Sequence, residues 1–253
     1  MRFGWLGMMI VVWLTGCATQ ATSYPEFQAG KSLFVSGGTI STLTETPAGD
    51  YLVPNSQVFL SQNDVSIKGS GAGALFGVVG AMAAVSNARD ASKSSFGSAD
   101  NKMSIRFDAL VTELLQRQLL DLEKVRIVSD EEASQITMVP FARFSMGSDG
   151  IATVVFQINV RFLEKSTGKG GKKAYAHGTM ESRKMEGDGG WLEGGATHLN
   201  AAALVAFDRL VKVALMDIDG KLLAGETMPK FEGFSLTQPV PNYLVLFERP
   251  GVP

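Results

Sequence analysis

Apolar positions along the chain change period twice, and those changes predict its elements. Across residues 103–119, Met103, Phe107, Leu110, Val111, Leu114, Leu115 and Leu119 recur at steps of three and four, the spacing that lines them up on one stripe of a helix. Asp100 stands where an N-cap is expected. A second stripe of the same period, Leu199, Ala203, Ala206, Phe207, Leu210, Val211 and Ala214, follows a glycine-rich entry at 191–195 and should end near Gly220, because glycine readily takes the left-handed residue that closes a helix. Between the two stripes the period falls to two. Val154, Phe156, Ile158, Val160 and Phe162 alternate with Thr153, Val155, Gln157, Asn159 and Arg161, giving one dry face and one mostly wet face, as an antiparallel sheet covered on one side requires. Residues 166–171 form a turn and 173–183 return beside the first strand, with Ala174, Ala176 and Gly178 on one face and Tyr175, His177 and Thr179 on the other. That makes a long hairpin. Upstream, 136–146 reads as a strand in which Pro140, lacking an N–H, calls for an edge or a bulge.

Shorter signals fill in the rest. Leu33-Phe34-Val35, Tyr51-Leu52-Val53 and Val58-Phe59-Leu60 are apolar runs separated by Gly, Pro, Asn and Asp, hence short strands with turns between them. The order of strand, helix, strands, hairpin and helix gives an α+β class, a mainly antiparallel or mixed sheet with two amphipathic helices packed on one face. Residues 69–90 have a different texture. Gly73, Gly77 and Ala81 recur four apart, as do Gly80, Ala84 and Ala88, so a helix here would have two smooth faces on which another backbone could lie close. This segment resembles a glycine zipper. It reads as a helix buried against the sheet, a self-association or partner face, or a membrane-inserting segment, and its twelve or so apolar residues fall short of the roughly 20 that cross a bilayer.

The amino terminus carries the sharpest motif. Arg2 is followed by an apolar stretch from Leu6 to Leu14 and then by Leu14-Thr15-Gly16-Cys17. A basic start and an apolar run too short to span a bilayer are the layout of a secretory signal. The Leu, small, Gly, Cys tetrad resembles the lipobox of bacterial lipoproteins. That resemblance implies a diacylglyceryl group on the Cys17 sulfur, removal of residues 1–16, and a membrane anchor that two or more acyl chains make essentially permanent. Ala18, where an aspartate would signal inner-membrane retention, implies the outer membrane. On this reading 17–30 is a lipidated N-terminus and small, polar tether, 31–222 is the α+β domain including the segment 69–90, and 223–253 is an irregular Pro-rich tail, with 242–247 a possible added strand.

Composition narrows the function. Hydrophobic residues at 45% and charged residues at 19% supply a core and argue against a disordered polyelectrolyte. A net charge of -2 gives no electrostatic reason to expect nucleic acid. Cys17 is the only cysteine, so neither an internal disulfide nor a cysteine cage for zinc can form. Walker A, dinucleotide, EF-hand and nucleophile-elbow spacings are missing, and His177 and His198 lack partners at metal or catalytic spacing. Asp217 and Asp219 read as a helix end. Glu131, Glu132 and the scattered carboxylates could conceal a glycosidase pair, because two acids on separate loops leave no sequence signature. Lys169, Lys172 and Lys173 cluster at the hairpin turn, either as a solvated tip or as a contact for anionic headgroups or an acidic partner. The expectation is no catalytic residue, no metal and no cofactor.

Over residues 31–220 the element order is similar to that of small envelope lipoproteins, among them transport-auxiliary and assembly-factor lipoproteins, in which a sheet with two helices presents a binding surface. Fold analogy alone does not give function; the membrane tether, the compact domain and the lack of a catalytic constellation together point to a non-catalytic binding or scaffold role toward another envelope component, an envelope protein or a second copy of the chain. A carrier of lipid or another hydrophobic ligand, with the glycine-rich helix over an apolar cleft, is the alternative, and a hydrolase of envelope polymers the third reading.

Overall fold

A computed structural model describes residues 24–25, 31–36, 50–62, 90, 93–94, 105–119, 125–147, 149–222, 234–240 and 243–248. Cys17, the glycine-zipper positions Gly73, Gly77, Gly80, Ala81, Ala84 and Ala88, and Asp100 lie outside them. The described residues form one mixed sheet of nine strands: β1 (Lys31–Val35), β2 (Tyr51–Leu52), β3 (Val58–Gln62), β4 (Val125–Ile127), β5 (Ile136–Met146), β6 (Ile151–Glu164), β7 (Lys169–Lys184), β8 (Phe234–Val240) and β9 (Tyr243–Glu248). Two helices, α1 (Asp108–Gln118) and α2 (Glu193–Ile218), lie on one face. The fold is α+β, as the periodicity requires.

The sheet is built outward from the antiparallel meander β5-β6-β7. Its helix-covered face is continuous: Met138, Ala142 and Phe144 of β5 stand beside Val160, Phe156 and Val154 of β6, and Phe156 and Ile158 beside His177 and Tyr175 of β7. The rings of Phe107, Phe156 and Phe207 meet at centroid separations of 5.1 to 6.0 Å where α1 and α2 cross β6. Each such ring contributes about 2 kcal/mol through burial alone. Trp191, fully buried at the entry to α2, donates from Nε1 to the Ala152 carbonyl at 2.8 Å. Gly194, Gly195 and Ala196 then have positive φ (56°, 74° and 66°), a left-handed turn that two glycines permit, and the regular helix follows. It ends as expected at Gly220 (φ 74°), with the Lys221 N–H on the Met216 carbonyl.

Three expectations need correction. Pro140 sits inside a central strand, where its missing N–H falls in a gap. Met138 accepts from the Ser36 N–H at the end of β1, and Ala142 donates to the Gln57 carbonyl just before β3. The two parallel neighbours β1 and β3 thus lie end to end along one edge of β5, and Pro140 faces the break between them, so no ladder bond is lost. The far face is partly to fully open along β6, as expected, but dry across β3 and β5, where Phe59, Val139 and Phe141 form a second buried cluster. Finally, the tail 223–253 is not wholly irregular. β9 pairs parallel with β7 and places Leu244 beside Tyr175 and Leu246 beside His177, while β8 closes antiparallel on β9. β9 falls on the possible strand expected at 242–247, whereas weak alternation and Pro239 hid β8, and the sheet runs past the expected boundary at 222.

The start of α1 is also later than expected. It begins at Asp108 with no side-chain bond from its own N-cap, Phe107. Its first amides are satisfied from a distance: the Gln57 side-chain oxygen accepts from Phe107 N–H and from Asp108 N–H at 3.2 Å, and the Gln57 side-chain nitrogen donates to the Ser36 carbonyl at 3.1 Å. Gln57 is buried, so these groups have no water to fall back on. Gln57→Leu should therefore lower the unfolding free energy by about 3 kcal/mol, since a buried group left unsatisfied costs roughly 1–3 kcal/mol. Urea denaturation of the domain measures it.

Candidate functional site

Where α2 lies over β7 the core turns polar. The helix-facing positions of β7 are Lys173, Tyr175 and His177, all buried. Above them α2 supplies Asp217 and Arg209. Lys173 Nζ donates to Asp217 Oδ2 at 2.7 Å, the Tyr175 hydroxyl donates to the same oxygen at 2.6 Å, and Arg209 Nη1 lies 3.0 Å from His177 Nε2. The spacing is commensurate: four strand residues and eight helix residues each advance about 12–13 Å, so two side chains on an antiparallel helix meet two on the strand.

A third segment joins this seam. Tyr24, within the expected tether, packs its ring 4.5 Å from that of Phe162, receives the Lys173 ammonium 4.6 Å over its face, and shares a hydrogen bond of 2.9 Å between its hydroxyl and that of Tyr175. Burial raises the pKa of the Tyr24 hydroxyl, the Tyr175 hydrogen bond partly opposes it, and the Asp217 charge adds to the rise. Tyr175 is held well above its ordinary value, first by burial and then by the charges of Tyr24 and Asp217. Both phenols therefore stay protonated through the physiological range and act as donors.

Lys173 is thus not part of the exposed tip assigned to it. As an odd-numbered residue of β7 it points under α2, whereas Lys172 points the opposite way and Lys169 lies at the turn, both exposed. His177 is buried under α2 rather than at the surface, with Arg209 at its Nε2. Exposed charge was expected where the strand actually faces a helix carrying a complementary Asp217. The signal available in the sequence was the alternation Lys173, Tyr175, His177 set against Arg209 and Asp217 on one helix. Tyr24 gave no comparable signal. Asp217 holds Lys173 and Asp219 pairs with Lys221 at 2.8 Å, and no cluster of three potential metal ligands occurs among the described residues. His198 lies 4.0 Å from Glu193 near the start of α2.

At the other face, a groove of about 680 Å³ opens where the β6–β7 turn approaches the loop before β5. Arg161, Lys165 and Lys172, with Leu163 and the bare backbone of Gly170 and Gly171, line one side. Glu131 and Glu132 line the groove as well. Glu131 is bound to Arg161 at 2.8 Å, and Lys165 reaches the Glu132 carbonyl. The two carboxylates are neighbours on one loop, so the groove does not set them on opposite sides of a substrate as glycoside hydrolysis requires. No described helix is long and apolar enough to cross a membrane.

No protein-family model matches the sequence, and no curated protein matches it significantly. Among solved structures, the crystal structure of a DUF330 protein from Xanthomonas campestris is similar, with 9% identity over 79% of this chain and 87% of the other, at a TM-score of 0.29. A superposition that loose transfers neither detail nor function.

Two outcomes test the seam. Asp217→Ala leaves the Lys173 ammonium buried beside no counter-charge, which should cost about 3–5 kcal/mol, and adding Lys173→Met should restore much of that loss in a double-mutant cycle. The tyrosines set the alkaline limb. Below a pH of about 10 the folded and unfolded chains both hold the phenol proton, whereas above it only the folded chain does, so stability falls with rising pH by about 1.4 kcal/mol per unit for each such tyrosine. Tyr175→Phe should flatten the slope of unfolding free energy between pH 10 and pH 11.5 by about that amount. An unchanged slope would place its hydroxyl in solvent.

Proposed function

We propose that this chain is a cell-envelope lipoprotein, held by lipid on Cys17 to the outer membrane and facing the periplasm, with a non-catalytic binding or scaffold role toward another envelope protein or a second copy of itself. The observation that carries the proposal is the tetrad Leu14-Thr15-Gly16-Cys17, placed directly after a basic start and a short apolar run and containing the sole cysteine. The non-catalytic part draws support from the polar groups themselves. Asp217, Lys173, Tyr175, Tyr24, His177 and Arg209 bind one another between two packed elements, which is how a structural network is arranged. Asp50, a buried carboxylate near the sheet edge, is likewise held by Arg143, at 2.6 and 3.0 Å.

Lipid attachment is tested by metabolic labelling with radioactive palmitate. The wild-type chain should incorporate label and sediment with membranes, whereas Cys17→Ser should lose the label. A wild-type chain that takes up no label overturns the proposal.

A further inference from the structure

The leash between lipid and domain is short, and it ends at one end of a long sheet. Lys31 opens the first strand, but Tyr24 is already bound to Tyr175, Phe162 and Lys173. Seven residues separate Cys17 from Tyr24, so the free chain spans at most about 25 Å; a tether running to Lys31 would span about twice that. Tyr24 sits beside Phe162, three residues from the β6–β7 turn and about 10 Å from it, while Ile151 at the opposite end of β6 lies roughly 36 Å away along the strand. A leash of that length cannot hold the domain upright on its far end.

The two ends differ in charge. At the far end Glu181 is paired with Arg183 at 2.8 Å, and the other exposed acids, Asp149, Glu186, Asp188 and Glu193, outnumber Lys184. At the turn end four bases meet four acids, but Glu164 is buried and Glu131 is paired with Arg161. Lys169 and Lys172 are exposed, no acid among the described residues pairs with either, and the apolar Leu163 stands beside them, 47% exposed.

We propose that the β6–β7 turn faces the bilayer carrying the chain's own lipid, with Lys165, Lys169 and Lys172 against anionic headgroups, and that the Tyr24 clamp enforces this orientation by shortening the leash. This rests on lipidation at Cys17. A polybasic contact contributes about 1 kcal/mol for each lysine near an anionic surface and fades within a Debye length, about 8 Å at physiological salt, so only a domain held close can use it.

The test uses the full lipidated chain reconstituted in phosphatidylglycerol vesicles containing nitroxide-headgroup lipid, with a fluorophore on Thr167→Cys at the turn or Asp149→Cys at the far end. Only vesicle-bound chain is read. Quenching at the turn should exceed that at the far end by about threefold, and by less in phosphatidylcholine. Inserting about ten Gly and Ser residues after Ala18, which leaves every contact of Tyr24 intact, should bring the two within about 1.5-fold. Tyr24→Ala, with its fold checked by thermal melting, should do the same. Bound chain quenched equally at both ends, or more at the far end, overturns the orientation while leaving the lipoprotein reading in place. A wild-type chain that carries no lipid overturns both.

Discussion

A single missing hydrogen-bond donor organises the edge of this sheet. Pro140 cannot serve a neighbouring strand, so β1 and β3 share the edge of β5 by meeting end to end across from it. The chain ends left at such a break would be buried polar groups with nothing to bind. Gln57 fills the break: its backbone bonds Ala142 and Ile105, and its side chain bonds Ser36 and the first amides of α1. One residue therefore sets the register of two strands and the position of a helix. That helix carries Phe107 into the cluster with Phe156 and Phe207, and so fixes where α2 can lie.

The placement of α2 in turn creates the polar seam. Had β7 been apolar on its inner face, α2 could slide along it with little penalty. Asp217 and Arg209 remove that freedom, because a shift by one helical turn, about 5.4 Å, would break both contacts and strand buried charge. The carboxylate of Asp217 also serves as acceptor for Tyr175, whose hydroxyl is the partner of Tyr24. Orientation of the N-terminal segment is thus coupled to helix register through one oxygen atom.

Much of this fold was legible in the sequence where burial is one-sided and periodic. β6, β7 and the body of α2 declare themselves by alternation or by three-and-four spacing, and β5, buried on both faces, by a mostly apolar run. What escaped notice depends on tertiary partners. The start of α1 is fixed by Gln57, some fifty residues away, and no local cap announces it. Lys173 looks like surface until a helix arrives above it with Asp217. β8 carries too little alternation to stand out, and of the C-terminal pair only β9 was legible, as the possible strand at 242–247. Tyr24 reads as part of a small, polar tether; only its ring and hydroxyl, matched to Phe162 and Tyr175, make it part of the domain.

The parallel pairing of β9 with β7 has a consequence for biogenesis. β7 is complete long before β9 leaves the ribosome, so for that interval one side of β7 offers unpaired amides and carbonyls along Ala174, Ala176 and Gly178, a flat run with little side-chain bulk. Such an edge is a template for a strand from another chain. The C-terminal hairpin therefore acts as a built-in plug, and the protein is safest from intermolecular pairing when its final residues arrive promptly.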